Sequence, residues 1–133
     1  MQTINILRSF AMMAVALALL AGPSAAADVL YTGTFKGAGG KKSSGNFEIF
    51  NKDGKTFITL KSDFRLSSVP DPKLAFGNGK YEVGTIYTSK LKSLKGEQTY
   101  EIPARLDPAK FSQVWIWCEK FNVPLAVAQI SEK

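Results

Sequence analysis

Residues 29–35 read VLYTGTF, apolar residues alternating with small or polar ones at period two, as in a half-buried strand. NFEIF (46–50) and TFITL (56–60) repeat the pattern on either side of Asn51-Lys52-Asp53-Gly54-Lys55. Asp-Gly tolerates the positive φ of a tight reversing turn, so this stretch predicts a β-hairpin. Pro70, Pro72, Gly77 and Gly79 argue against a long helix after Phe64. Between those breaks, residues 74–76, 81–83 and 85–87 read as short strands. TYEIP (99–103) reads as another, stopped by Pro103. Asp107-Pro108 supplies a helix cap and a pre-set first position, with space for about a turn of helix before Gln113.

From Gln113 to Cys118 both alternating faces are apolar: Val114, Ile116 and Cys118 on one, Trp115 and Trp117 on the other. That predicts a central strand covered on both sides. Phe121, Val123, Leu125 and Val127 continue the alternation after a turn near Asn122, giving a last strand paired with it. Short strands joined by Gly, Pro and Asp turns predict an all-β chain, a single antiparallel β-sandwich or flattened barrel, with no internal repeat.

The N-terminus departs from this pattern. Arg8 precedes an apolar run over residues 10–21, then Pro23 and Ala25-Ala26-Ala27. Those are the parts of a secretory signal peptide, and a run of about a dozen residues falls short of the ~20 that span a bilayer. Cleavage is expected after Ala27, leaving residues 28–133 as one periplasmic or secreted β domain with no membrane span. Leu20-Ala21-Gly22 is followed by Pro23, where a lipoprotein signal needs cysteine, so no lipid anchor is expected. About a hundred residues suffice to close a core without disulfides.

Composition removes several chemistries. The chain has no histidine, which excludes imidazole-based triads, Cys/His zinc sites, the c-type haem attachment signature and a histidine axial ligand. Its formal charge is +6, Arg8 included, and lysines spread along the sequence supply the excess. That reads as a solvated basic surface rather than a nucleic-acid stripe, with loose attraction to anionic envelope surfaces as the weaker alternative.

GAGGKKSSG (37–45) lacks the spacing of a phosphate loop and precedes a strand, so it reads as an inter-strand loop. Asp63, Asp71 and Asp107 lie in turn contexts, no carboxylate pair has an interpretable spacing, and no catalytic residue or metal site is assigned. Trp115 and Trp117 read as core or as an aromatic platform. The single cysteine, Cys118, cannot form an intrachain disulfide. It reads as a small buried hydrophobe or as a reactive thiol, which Lys120 would help if the strand persisted two residues further.

Taken together, Gly96-Glu97-Gln98-Thr99-Tyr100-Glu101-Ile102-Pro103, Asp107 with Lys110-Phe111, and residues 114–123 (VWIWCEKFNV) closely resemble the DM-thirteen domain family. Gly33-Thr34-Phe35, Gly45, Asp63-Phe64 and Pro70-Asp71 resemble the family's opening and middle. The resemblance implies an all-β envelope domain with a role in electron transfer, through Cys118 as a bare thiol or as a haem-iron ligand. Trp115, Trp117, Lys120 and Phe121 are then the candidate side chains around it. Lys41 and Lys42 stand in the glycine-rich loop, where the family often has a histidine. With no companion domain in the sequence, a separate redox or envelope protein is the expected partner. The competing expectation is a non-catalytic envelope module that binds protein or glycan, with Cys118 in its core.

Overall fold

The structure, a computed structural model, describes residues 27–133. The predicted signal peptide, with its cleavage and lipid-anchor expectations, lies outside the described residues except for Ala27.

The predicted hairpin forms as β4 (Asn46–Lys52) and β5 (Lys55–Leu60), joined through Asp53 at φ 51° and Gly54 at φ 75°. Both turn residues have the left-handed backbone that a two-residue hairpin loop requires. Around this hairpin a five-stranded antiparallel sheet adds β1 (Asp28–Thr34), β8 (Gln98–Ile102) and β11 (Ser131–Glu132), in the order β11-β1-β4-β5-β8. A four-stranded antiparallel sheet holds β2 (Lys36–Gly37), β7 (Pro72–Gly77), β9 (Gln113–Cys118) and β10 (Val123–Gln129), in the order β2-β10-β9-β7. A short ladder of β3 (Ser43–Ser44) with β6 (Arg65–Leu66) closes one end. The result is a β-sandwich, and the flattened barrel is not formed because the two main sheets remain separate.

Period-two alternation explains the core. Phe47, Ile49, Ile58 and Leu60 of the first sheet meet Leu74, Phe76, Val114 and Ile116 of the second, all fully buried. Each such side chain contributes roughly 1.5–3 kcal/mol of transfer free energy. Phe35, leaving β1 for the second sheet, packs between Phe47 and Phe64 at centroid distances of 5.5 and 5.7 Å. The predicted helical turn is a 3-10 turn at Pro108–Lys110, and the Asp107 carboxylate accepts the Ala109 amide at 3.0 Å.

Three local expectations are corrected. Residues 81–83 and 85–87 are not strands; instead the Glu82 and Tyr87 amides donate to the Phe76 and Leu74 carbonyls along the outer edge of β7, with Gly84 at φ 86° between them. β9 is central but buried on one face only: Val114, Ile116 and Cys118 are enclosed, while Trp115 and Trp117 are half-buried on the other face. A bulge between Pro124 and Ala126 breaks the alternation of β10. Leu125 and Ala126 therefore face the core, whereas Val127 pairs with Trp115 on the outer face.

Candidate functional site

Cys118 is the last residue of β9, with Pro72 of β7 and Val123 of β10 as its cross-strand neighbours. Its side chain points into the core beside Ile116 and is 1% exposed. Proline fits at the first position of β7, where a missing ladder amide is tolerated. The chain then reverses over residues 119–122. The Asn122 amide donates to the Glu119 carbonyl at 3.3 Å, and Asn122 has φ 52°, which asparagine tolerates better than most residues.

Polar contacts tie this turn down on both sides. The Lys120 amide donates to Asp71 Oδ2 at 3.0 Å. Lys73 Nζ lies 3.7 Å from Asp71 and 3.4 Å from Glu119. Trp117 Nε1 donates to Asn122 Oδ1 at 3.0 Å. Side-chain hydrogen bonds and ion pairs hold this exposed turn, whereas the thiol itself is enclosed by the core.

The other candidate residues divide between two places. Trp115 and Trp117 stand on the opposite face of the sheet from the thiol, their rings edge to face with centroids 6.1 Å apart. Tyr81 stacks on Trp117 at 4.2 Å, and Gln113 Oε1 accepts Trp115 Nε1 at 3.2 Å. Lys120 and Phe121 lie in the turn because the strand ends at Cys118. Lys120 therefore does not share the thiol's face of the strand; its ammonium sits 5.4 Å from the Phe121 ring centroid. Phe121 itself is 60% exposed.

Asp71, Lys73 and Tyr81 escaped the sequence reading as site residues. Pro70-Asp71-Pro72 was legible as a turn, but its pairing with a residue 49 positions later carries no local signal. Tyr87 is a second unforeseen feature. Its ring stacks on Phe76 at 4.8 Å while its hydroxyl is enclosed without a hydrogen-bond partner among the described residues. Burial holds that hydroxyl's pKa far above the usual phenol range.

Haem ligation by Cys118 does not fit this arrangement. An iron porphyrin needs a slot of several hundred Å³ against the sulfur, and Cys118 is sealed among Pro72, Ile116 and its neighbours. A cleft of ≈ 780 Å³ does open on the molecule, but its walls are Thr34, Asn46, Lys61, Asp63, Gln129 and their neighbours, without Cys118. Among the described residues no group of three or more His, Cys, Asp or Glu could hold a metal ion.

The fold and this site define an all-β sandwich domain with one thiol sealed at the end of its central strand. The model of the family described as Electron transfer DM13 matches residues 34–130, and the chain belongs to that family. No curated protein and no solved structure matches the chain.

Proposed function

We propose that the chain is an exported electron-transfer domain in which Cys118 relays an electron pair by thiol–disulfide exchange between separate envelope proteins. The observation supporting this reading is the position of the thiol at a strand end, next to an exposed turn held by Asp71, Lys73 and Asn122. Local opening that starts in residues 119–122 and reaches the strand end at Cys118 exposes the sulfur without unfolding the sandwich, since turns and strand ends open at lower cost than core strands.

The chemistry balances with one cysteine in the chain. After opening, Cys118 loses its proton to solvent, and the thiolate attacks an acceptor's disulfide. The acceptor S–S bond breaks, a Cys118–acceptor disulfide forms, and the departing acceptor sulfur carries away the electron pair. A donor dithiol then attacks the Cys118 sulfur and releases the acceptor fully reduced. The donor's second thiol closes on the donor sulfur, which expels the Cys118 thiolate. Two electrons have passed from donor dithiol to acceptor disulfide, and Cys118 is regenerated.

Trapping tests the proposal. Envelope extracts quenched with acid and alkylated should show a reducible adduct of the wild-type chain that Cys118→Ala lacks. Absence of any adduct, with a thiol alkylated only on unfolding, would overturn it. Export carries its own test: intact mass should place the mature N-terminus at Asp28, with no added lipid, and retention of Met1 would contradict this.

A second reading rests on the 1% exposure of Cys118 within the hydrophobic core. On that reading the chain is a non-catalytic envelope module and the thiol is packing. Both Cys118→Ala and Cys118→Ser would then fold and support the cellular role as well as the wild type.

A further inference from the structure

Cations that are scattered in the sequence converge on one end of the sandwich. The β3–β6 ladder is extended by an antiparallel bridge between Arg65 and Lys95, and Leu66 donates its amide to the Leu94 carbonyl. Lys42 pairs with Ser67 on the same ladder through its carbonyl at 2.9 Å. Lys41, Lys42, Arg65 and Lys95 are thus brought together from three separate segments. Leu91, flanked by Lys90 and Lys92, donates its amide to the carbonyl of Pro72, the cross-strand neighbour of Cys118. The turn with Lys120 and Phe121 lies at this end too, held by Asp71 on one side. On the other side Gly39 approaches the Pro124 carbonyl so closely that a Cβ would come within 2.6 Å of it.

These cations are exposed, and among the described residues none of them pairs with a carboxylate: the four ion pairs involve only Lys55, Lys61 and Lys73. Carboxylates in these segments are fewer than the cations. Asp63 is engaged by the Asn46 amide and side chain at 2.9 and 2.6 Å, and Asp71 by Lys73 and Lys120. Glu97 and Glu119, the latter paired with Lys73, are the others in these segments. Within this charged rim two apolar side chains stand out to solvent, Phe121 at 60% and Val123 at 41% exposure.

From this juxtaposition we propose that the Lys41–Lys42–Arg65–Lys95 end of the sandwich docks on an anionic lipid bilayer, its lysines meeting the headgroups and Phe121 dipping into the acyl boundary. A group of exposed cations without carboxylate partners suits a laterally fluid anionic surface. An exposed aromatic beside Lys120 supplies the apolar anchor that basic charge alone lacks. This goes beyond the thiol relay and holds whether or not Cys118 is redox-active.

The test is co-sedimentation of the full chain with vesicles of phosphatidylcholine alone or doped with phosphatidylglycerol. Binding should require phosphatidylglycerol and should weaken as salt shortens the Debye length from about 30 Å at 0.01 M to about 8 Å at 0.15 M. Lys41→Gln and Lys42→Gln should each lower the partition coefficient about fivefold, and Phe121→Ala about tenfold. Lys52→Gln is the control for net charge, because Lys52 sits in the hairpin at the opposite end of β4 from Asn46. It should leave binding nearly unchanged. Equal losses with Lys52→Gln, an unchanged Phe121→Ala, or failure to sediment with anionic vesicles at low salt would overturn the proposal. Binding to polyglutamate in place of vesicles would instead assign this end to acidic proteins.

Discussion

Asp71 accepts the backbone amide of Lys120 at 3.0 Å, so a residue at the entrance to β7 pins the turn that follows Cys118. The same carboxylate lies 3.7 Å from Lys73, which also reaches Glu119. One side chain therefore fixes the turn both directly and through an ion pair. We predict that Asp71→Ala folds normally but exposes the thiol more often. A hydrogen bond to a charged group contributes roughly 1.5–3 kcal/mol, so its loss should speed native-state reaction with a thiol reagent about tenfold or more. Stopped-flow thiol titration measures this, and an unchanged rate would show that the clasp does not control access.

Cys118 substitutions separate packing from chemistry. Cys118→Ala leaves a small cavity beside Ile116 and should cost about 1 kcal/mol. Cys118→Ser buries a hydroxyl at a site 1% exposed and should cost more, about 1–3 kcal/mol unless it finds a partner. Urea unfolding of both variants tests the order. A serine variant as stable as wild type would mean that the site offers a hydrogen bond or water.

Tyr87 gives the protein a pH signature. Its pKa is raised by burial in the folded state, so the native state holds the phenolic proton more tightly than the unfolded chain does. The associated stability is complete below the unfolded value near 10 and is lost as pH rises above it. Tyr100, raised by partial burial, contributes in the same direction. Tyr87→Phe removes an enclosed hydroxyl without a partner among the described residues. It should leave stability at pH 7 unchanged or raised by about 1 kcal/mol, and should flatten the alkaline decline. Unfolding midpoints across pH 8 to about 11 test this, and an alkaline decline as steep in Tyr87→Phe as in wild type would contradict it.

Gly33 lies where β1 meets β10 of the other sheet. A Cβ there would overlap the Gln129 carbonyl and the Phe47 ring, and neither a backbone atom nor a core aromatic can move aside cheaply. Gly33→Ala should therefore destabilise the fold by about 1–3 kcal/mol or more. Thermal melts compared with Gly40→Ala would expose the difference: Gly40 has open space around it and only its φ of 77° to oppose substitution.

Much of this architecture was legible because it is local. Asp53-Gly54 set the hairpin and its register, and period-two alternation located β1, β8 and β9 along the chain. The Asp107-Pro108 cap produced its single turn. What escaped depends on partners distant in sequence. Nothing in Tyr81 or Tyr87 announces that the neighbouring amides will serve the edge of β7 rather than a strand of their own. The bulge at Leu125 sets its face against an alternation that looked unbroken. The candidate residues from Trp115 to Phe121 were gathered by proximity in sequence. The strand end at Cys118 and the turn after it, however, put the tryptophans and Lys120 on surfaces the thiol does not share. Four of the cations spread along the sequence, Lys41, Lys42, Arg65 and Lys95, meet at the β3–β6 ladder through pairings no local pattern carries.

The segment that runs beside β7 bears on how the molecule behaves in a crowded compartment. Leu74 has its carbonyl taken by the Tyr87 amide and its amide by the Thr88 hydroxyl, while the Pro72 carbonyl is taken by Leu91. The opposite margin of that sheet is β2, only two residues long. A second chain seeking to add a strand finds neither border bare over a useful length, so the sheet resists edge-to-edge polymerisation even at high concentration. Deleting the covering residues 81–91 would therefore turn a self-limiting sheet into a template for aggregation.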